Sequence, residues 1–153
     1  MLCDLKTPQG ETLTGTPWTV YPRPQMKRDS YLNLNGAWDF SVDYESKGQI
    51  RVPFCPESRL SGIGAHYDEG SLLCYTRSFT LPEGFNRGRV LLHIGAADQR
   101  ADVFLNGKPV ASTKADTRHF PSISRSFLRR KTDYKSAVLM IWRISPIPTA
   151  SRP

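Results

Sequence analysis

The sequence predicts an all-β fold, a β-sandwich or jelly roll, and three observations predict it. Short segments between residues 36 and 110 place apolar residues on alternate positions, the period of a half-buried strand. Asn-Gly, glycine and proline turn signals separate those segments. No stretch before Val110 carries the apolar period of a convincing helix, and no internal repeat is visible.

The segments follow in order. Residues 1–30 are turn-rich and end in the proline-punctuated YPRPQMKRD, which reads as an extended arm. LNGAWDFSVD gives a turn at Asn35-Gly36 and then a strand in which Trp38 and Phe40 alternate with Ala37 and Asp39. IRVPF is a short strand that Pro53 stops or confines to an edge. CPESRLSGIGAHYDEG is a long glycine-containing loop of the kind that carries function. LLCYTRSFTL restarts the sheet with Tyr75, Arg77 and Phe79 on one face. RVLLHIGAADQRADVFLNGKPVA reads as two strands joined at GAAD and a closing hairpin, because a type I′ turn needs positive φ at both central residues and Asn106-Gly107 supplies them. Trp38, Phe40, Phe79, Leu92 and Phe104 are the expected core.

Composition narrows the function classes. At 153 residues, 39% hydrophobic and 23% charged, the chain fits one globular domain with a real core. No apolar run has membrane-span length and MLCDLKTPQGETLTG lacks a signal-peptide core, so no membrane partner and a cytoplasmic location are expected. Cys3, Cys55 and Cys74 are odd in number and lack metal-ligand spacing, which points to thiols in a reducing compartment and to no metal site. The formal charge of +7 is unevenly spread: residues 1–114 hold 13 Lys/Arg against 12 Asp/Glu, and residues 115–153 hold 8 against 2. The excess belongs to the tail.

LNGAWDF, VPFCPESRLSGIG, YTRSFTLP and RVLLHIGAADQRADVFLNGKPV resemble, in that order, the N-terminal domain of glycoside hydrolase family 2, which contains β-galactosidases and β-glucuronidases. YPRPQMKRD is similar to the approach segment of bacterial members, so the resemblance runs from about Tyr21 to Val110. It implies a galactose-binding-like jelly roll, the family's sugar-binding domain, partial here over residues 31–113 and followed by a basic tail over 114–153. In the family that domain leads into an immunoglobulin-like domain and a TIM barrel, and the barrel carries the acid/base and nucleophile glutamates. A retaining glycosidase needs two carboxylates about 5–5.5 Å apart, and a barrel takes about 250 residues. Glu11, Glu45, Glu57, Glu69 and Glu83 are scattered and match no paired motif. No catalytic residue and no cofactor, neither nicotinamide nor flavin, is therefore expected in these residues.

The resemblance also implies a supporting site. Jelly-roll loops of the family's β-galactosidases reach the barrel mouth, and GAHYDEG lies in a corresponding loop. His66, Tyr67 and Asp68 would then contact a β-galactoside or β-glucuronide, a ring for a sugar face beside polar groups for its hydroxyls. The plain alternative is an exposed loop without a ligand. Asp98 is expected to be a turn-capping or structural carboxylate rather than a sugar ligand.

After FLNGKPV the family continues with a loop resembling GGHTPF and a stretch like SFDIT, where this chain has TKADTRHFPSISRS. Codons for Lys114 through Arg125, read from each third base, permit Gly-Gly-His-Thr-Pro-Phe and then Ser-Phe-Asp-Ile-Thr, eleven positions in succession. Lys131 to Ser136 permit Asn/Asp, Arg/Gly, a forced Leu, Gln and Ile/Val in the same frame. The tail from about Lys114 is thus expected to be the same gene out of frame, with the jelly roll's last strands missing or replaced. AVLMIW would either add a strand or stand exposed. Two other classes remain: a stand-alone carbohydrate-binding module, and a nucleic-acid binder using the basic SFLRRKTDYKS, which no nucleic-acid motif accompanies.

Overall fold

The computed structural model describes residues 7–20, 25, 29–85, 88, 90–95, 97, 100–114 and 136–143. For Arg100, Thr113, Lys114 and residues 136–143 the description is of the backbone. The elements run α1 (Pro8–Glu11), β1 (Gly36–Val42), β2 (Glu45–Val52), a 3-10 turn (Arg59–Ser61), β3 (Leu72–Phe79), β4 (Arg100–Leu105), β5 (Lys108–Lys114) and β6 (Ser136–Arg143). The chain divides into two compact units, Met1–Trp38 with Gln49–His66, and Asp39–Gly48 with Tyr67–Pro153.

The strands join in one six-stranded sheet of order β2-β1-β3-β6-β4-β5, in which β1–β3, β3–β6, β4–β6 and β4–β5 pair antiparallel. In the second unit, register explains which residues are inside. Phe40 faces Tyr75, Tyr75 faces position 140, and position 140 faces Val103. One row over, Val42 faces Leu73, Leu73 faces position 142, and position 142 faces Ala101. Successive residues of a strand point to opposite faces, so these rows share one face. Phe40, Val42, Leu73, Tyr75, Ala101 and Val103 are all buried there. The Phe40 and Tyr75 rings meet across the strands with centroids 5.0 Å apart.

Turn chemistry closes the two hairpins differently. Asn106 (φ 52) and Gly107 (φ 74) form the expected β4–β5 turn. A β-bulge follows, since Val103 opposes Ala111 while Phe104 opposes Pro109, and the extra residue, Val110, is buried. The β1–β2 turn uses Asp43 (φ 49) and Tyr44 (φ 70), neither of them glycine.

The first unit is held by side-chain caps. Thr7 caps α1 by accepting from the Gly10 amide at 3.1 Å. A methyl group on Gly10 would meet Thr7 Oγ1 at 3.0 Å and Leu60 Cδ1 at 3.4 Å, so a side chain there would make these two neighbours shift by a few tenths of an ångström. Trp38 is buried and its indole donates to the Leu34 carbonyl at 2.7 Å. Ile50 is fully buried on β2.

Before Val110 the helical content is slight, in line with the sequence: α1 is a single turn started by a Thr cap and Pro8, too short to show an apolar period, although other expectations change. RVLLHI forms no strand over its described residues 90–94, which hold only a bridge at Leu92. β3 and β4 already have neighbours on both sides, so no inner position is left for it. Phe79, Leu92 and Phe104 are only half-buried, and on β4 it is Ala101 and Val103, rather than Phe104, that turn into the core. AVLMIW takes the strand option: β6 lies between β3 and β4 and pairs with β3 over all eight of its residues. The all-β class stands, as a single six-stranded sheet among the described residues.

Candidate functional site

The loop from Cys55 to His66 is organised around its own backbone. The amides of Ser58 and Ser61 donate to the carbonyls of Cys55 and Ser58, each at 3.0 Å, and the Gly62 amide donates to Arg59 at 3.1 Å. Gly62 ends the 3-10 turn at φ 86, a left-handed position that glycine adopts without strain. Ser61, 1% exposed, is the centre. Its hydroxyl donates toward Ser58 O at 2.6 Å, with Pro56 O at 3.3 Å, and accepts from the Ile63 amide at 3.0 Å. The Ala65 amide closes the loop on Pro56 O at 3.1 Å. A long loop that satisfies its own polar groups holds what it displays.

Of the three expected contact residues, His66 lies in the first unit and is exposed. Its Nδ1 stands 3.7 Å from Glu57 Oε1, an ion pair when the imidazole is protonated. Tyr67 and Asp68 belong to the second unit. Tyr67 is half-buried and sets its ring edge-on to Phe40, centroids 5.8 Å apart at 61°, so part of the ring is engaged with the core. Asp68 is exposed, and its carbonyl accepts from the Ser71 amide at 3.2 Å in a turn that places Gly70 at φ 92. Glu11, Glu45, Glu57, Glu69 and Glu83 are all exposed. Asp98 and SFLRRKTDYK fall outside the described residues, as does the chain between Lys114 and Ser136.

Electrostatic perturbation is local. Lys47 Nζ lies 2.9 Å from Glu45 Oε2 on β2, and that hydrogen bond, then the opposite charge, holds the Glu45 carboxyl below and the Lys47 ammonium above its ordinary range. Burial pushes the Cys74 thiol up, partly offset by a hydrogen bond with Ser41. Among the described residues no group of three or more His, Cys, Asp or Glu side chains is placed to hold a metal ion. Likewise no described helix is long and apolar enough to cross a membrane.

One feature lies outside anything the period-two pattern marks. Trp18 is 67% exposed, its backbone is left-handed at φ 48, and its ring meets Phe54 with centroids 5.6 Å apart. Asn33 and Asn35, fifteen or more residues away, hold that backbone, so no local signal announces it.

No protein-family model matches the chain, and comparison with curated proteins finds no match.

Proposed function

We propose that this chain is a partial N-terminal sugar-binding domain of the family 2 glycoside hydrolase type, a saccharide-contacting module with no catalytic barrel in its 153 residues. The observation that carries the proposal is the ordered series of four sequence blocks. β1 lies on LNGAWDF, β3 on YTRSF and the β4–β5 hairpin on ADVFLNGKPV, so three of the blocks coincide with strands of an all-β fold. The remaining block, VPFCPESRLSGIG, is the self-braced loop that leads to His66, Tyr67 and Asp68. The side chains that follow the loop in sequence, an exposed imidazole at His66 and then a half-buried phenol ring and an exposed carboxylate at Tyr67 and Asp68, are of the chemical types that suit the hydroxyls and ring face of a β-galactoside or β-glucuronide.

The jelly-roll topology and the origin of the tail are parts of the same proposal. In the intact family domain the last strands follow FLNGKPV. Here residues from about Lys114 are read out of frame, and AVLMIW fills a strand position it was not selected for.

Calorimetric titration of the whole chain with galactose, glucuronate and their β-linked oligosaccharides tests the reading. Saturable binding that weakens on His66→Ala or Asp68→Ala is expected, with no hydrolysis of aryl β-galactosides or β-glucuronides. Turnover by purified chain that disappears on mutation of one glutamate would overturn it. So would the absence of saccharide binding together with salt-dependent binding of random DNA.

A further inference from the structure

We propose that Trp18, propped on Phe54, is a stacking platform for the apolar face of a neutral pyranose ring, a saccharide contact separate from His66, Tyr67 and Asp68. The class of ligand rests on the saccharide reading above; the platform rests on its own geometry.

The first observation is exposure with support. The Trp18 ring is 67% exposed yet braced by Phe54, 5.6 Å away centroid to centroid and inclined at 45°. The second is backbone strain at an exposed position. A left-handed φ of 48 is unfavourable for a bulky side chain and persists only where neighbours enforce it. Asn33 Nδ2 donates to the Trp18 carbonyl at 2.7 Å and Asn35 Nδ2 to the Pro17 carbonyl at 3.2 Å. Asn33 Oδ1 in turn accepts from the Asn35 amide at 2.7 Å, which fixes the first asparagine. The segment therefore sustains strain and gains no core burial for the indole. Preorganised display of an amphipathic ring is what those two facts share.

The third observation selects the ligand. LTGTPWTV, residues 13–20, contains no charged side chain, and Thr14, Thr16 and Thr19 are exposed around the indole's position in the chain. A phosphate, a nucleic acid or a uronate would call for Lys or Arg beside the ring, and residues 13–20, the described segment that carries it, supply neither. A neutral pyranose offers an apolar C–H face for the indole and a rim of hydroxyls for threonine, without a charge to satisfy.

The test uses the whole chain, calorimetry with β-1,4-galactotetraose, lactose and glucuronate, and thermal unfolding of each variant. Trp18→Gly removes the ring and accepts the left-handed backbone; Trp18→Tyr keeps a ring. Trp18→Gly is expected to melt no lower than the parent while binding galactotetraose about tenfold or more weakly, the effect of losing a central aromatic anchor. Trp18→Tyr is expected to retain most of the affinity, and glucuronate to bind more weakly than lactose. Parental affinity in Trp18→Gly overturns the platform. If His66→Ala abolishes binding in that same comparison, the saccharide reading survives without it. A chain that binds no saccharide removes both, and a Trp18→Gly variant that melts lower with unchanged binding assigns Trp18 a packing role.

Discussion

Asp43 holds Leu72 by both of its backbone groups: the Asp43 amide donates to the Leu72 carbonyl at 3.0 Å, and Asp43 Oδ1 accepts from the Leu72 amide at 2.9 Å. One turn residue thereby satisfies the first residue of β3, next to the Asp68–Ser71 turn. Asp43→Ala removes one of these bonds and places alanine at φ 49, where aspartate is better tolerated. The expected loss is about 1–2 kcal/mol. Asp43→Asn keeps an acceptor and the conformational tolerance and should lie near the parent, as denaturant titration of the three proteins would show.

Tyr44 is 87% exposed at φ 70, the second central position of the same hairpin, where a bulky side chain is strained. Tyr44→Gly should stabilise the chain by about 1 kcal/mol, because the relieved left-handed strain outweighs the added chain entropy. A lowered melting temperature would mean that the phenol ring makes a stabilising contact.

Ser61→Ala deletes the hydroxyl that serves Ser58, Pro56 and Ile63 inside the loop. The Ser58 and Pro56 carbonyls keep the Ser61 and Ala65 amides, but the half-buried Ile63 amide loses this acceptor, at an expected cost of about 1–3 kcal/mol. Hydrogen exchange should rise first at Ile63 and at neighbouring amides of residues 58–65, before the strands are affected.

Much of the sheet was legible in the sequence, for a physical reason. Trp38, Phe40 and Val42 alternate because β1 has one buried face, and Asn106-Gly107 can hardly do anything other than close a hairpin. The β1–β2 turn was not legible, since Asp-Tyr has no glycine and the energy that holds it comes from Leu72, 29 positions from Asp43. The pattern in RVLLHI is a strand pattern that forms no strand over its described residues, and β6 occupies the sheet position between β3 and β4. His66, Tyr67 and Asp68 are proposed on a family resemblance, and no periodicity marks them. Trp18 was invisible to both, as its clamp is made by Asn33 and Asn35 across a turn-rich segment.

The two described cysteines should behave oppositely. Cys55 is exposed and Cys74 buried, both as free thiols. Alkylation followed by peptide mapping should label Cys55 in the native chain and Cys74 only on unfolding. Because burial raises the folded thiol's pKa, the folded state keeps the Cys74 proton at a pH where the unfolded chain, with a thiol pKa of about 8.5, has lost it. The resulting stability is fully present below about pH 8.5 and declines as pH rises through the folded value. Cys74→Ala should flatten that alkaline decline; an unchanged decline would place its source elsewhere.

The nucleotide sequence across codons 114–136 tests most directly the central proposal, that a family 2 sugar-binding domain is interrupted by a change of frame. Read from each third base, it should encode a GGHTPF-like peptide, then SFDIT, and Leu-Gln across the codons of Asp133 to Lys135. A stop codon in that frame, or codons specifying other residues at the GGHTPF and SFDIT positions, would contradict the proposal and make the basic tail a selected part of the protein.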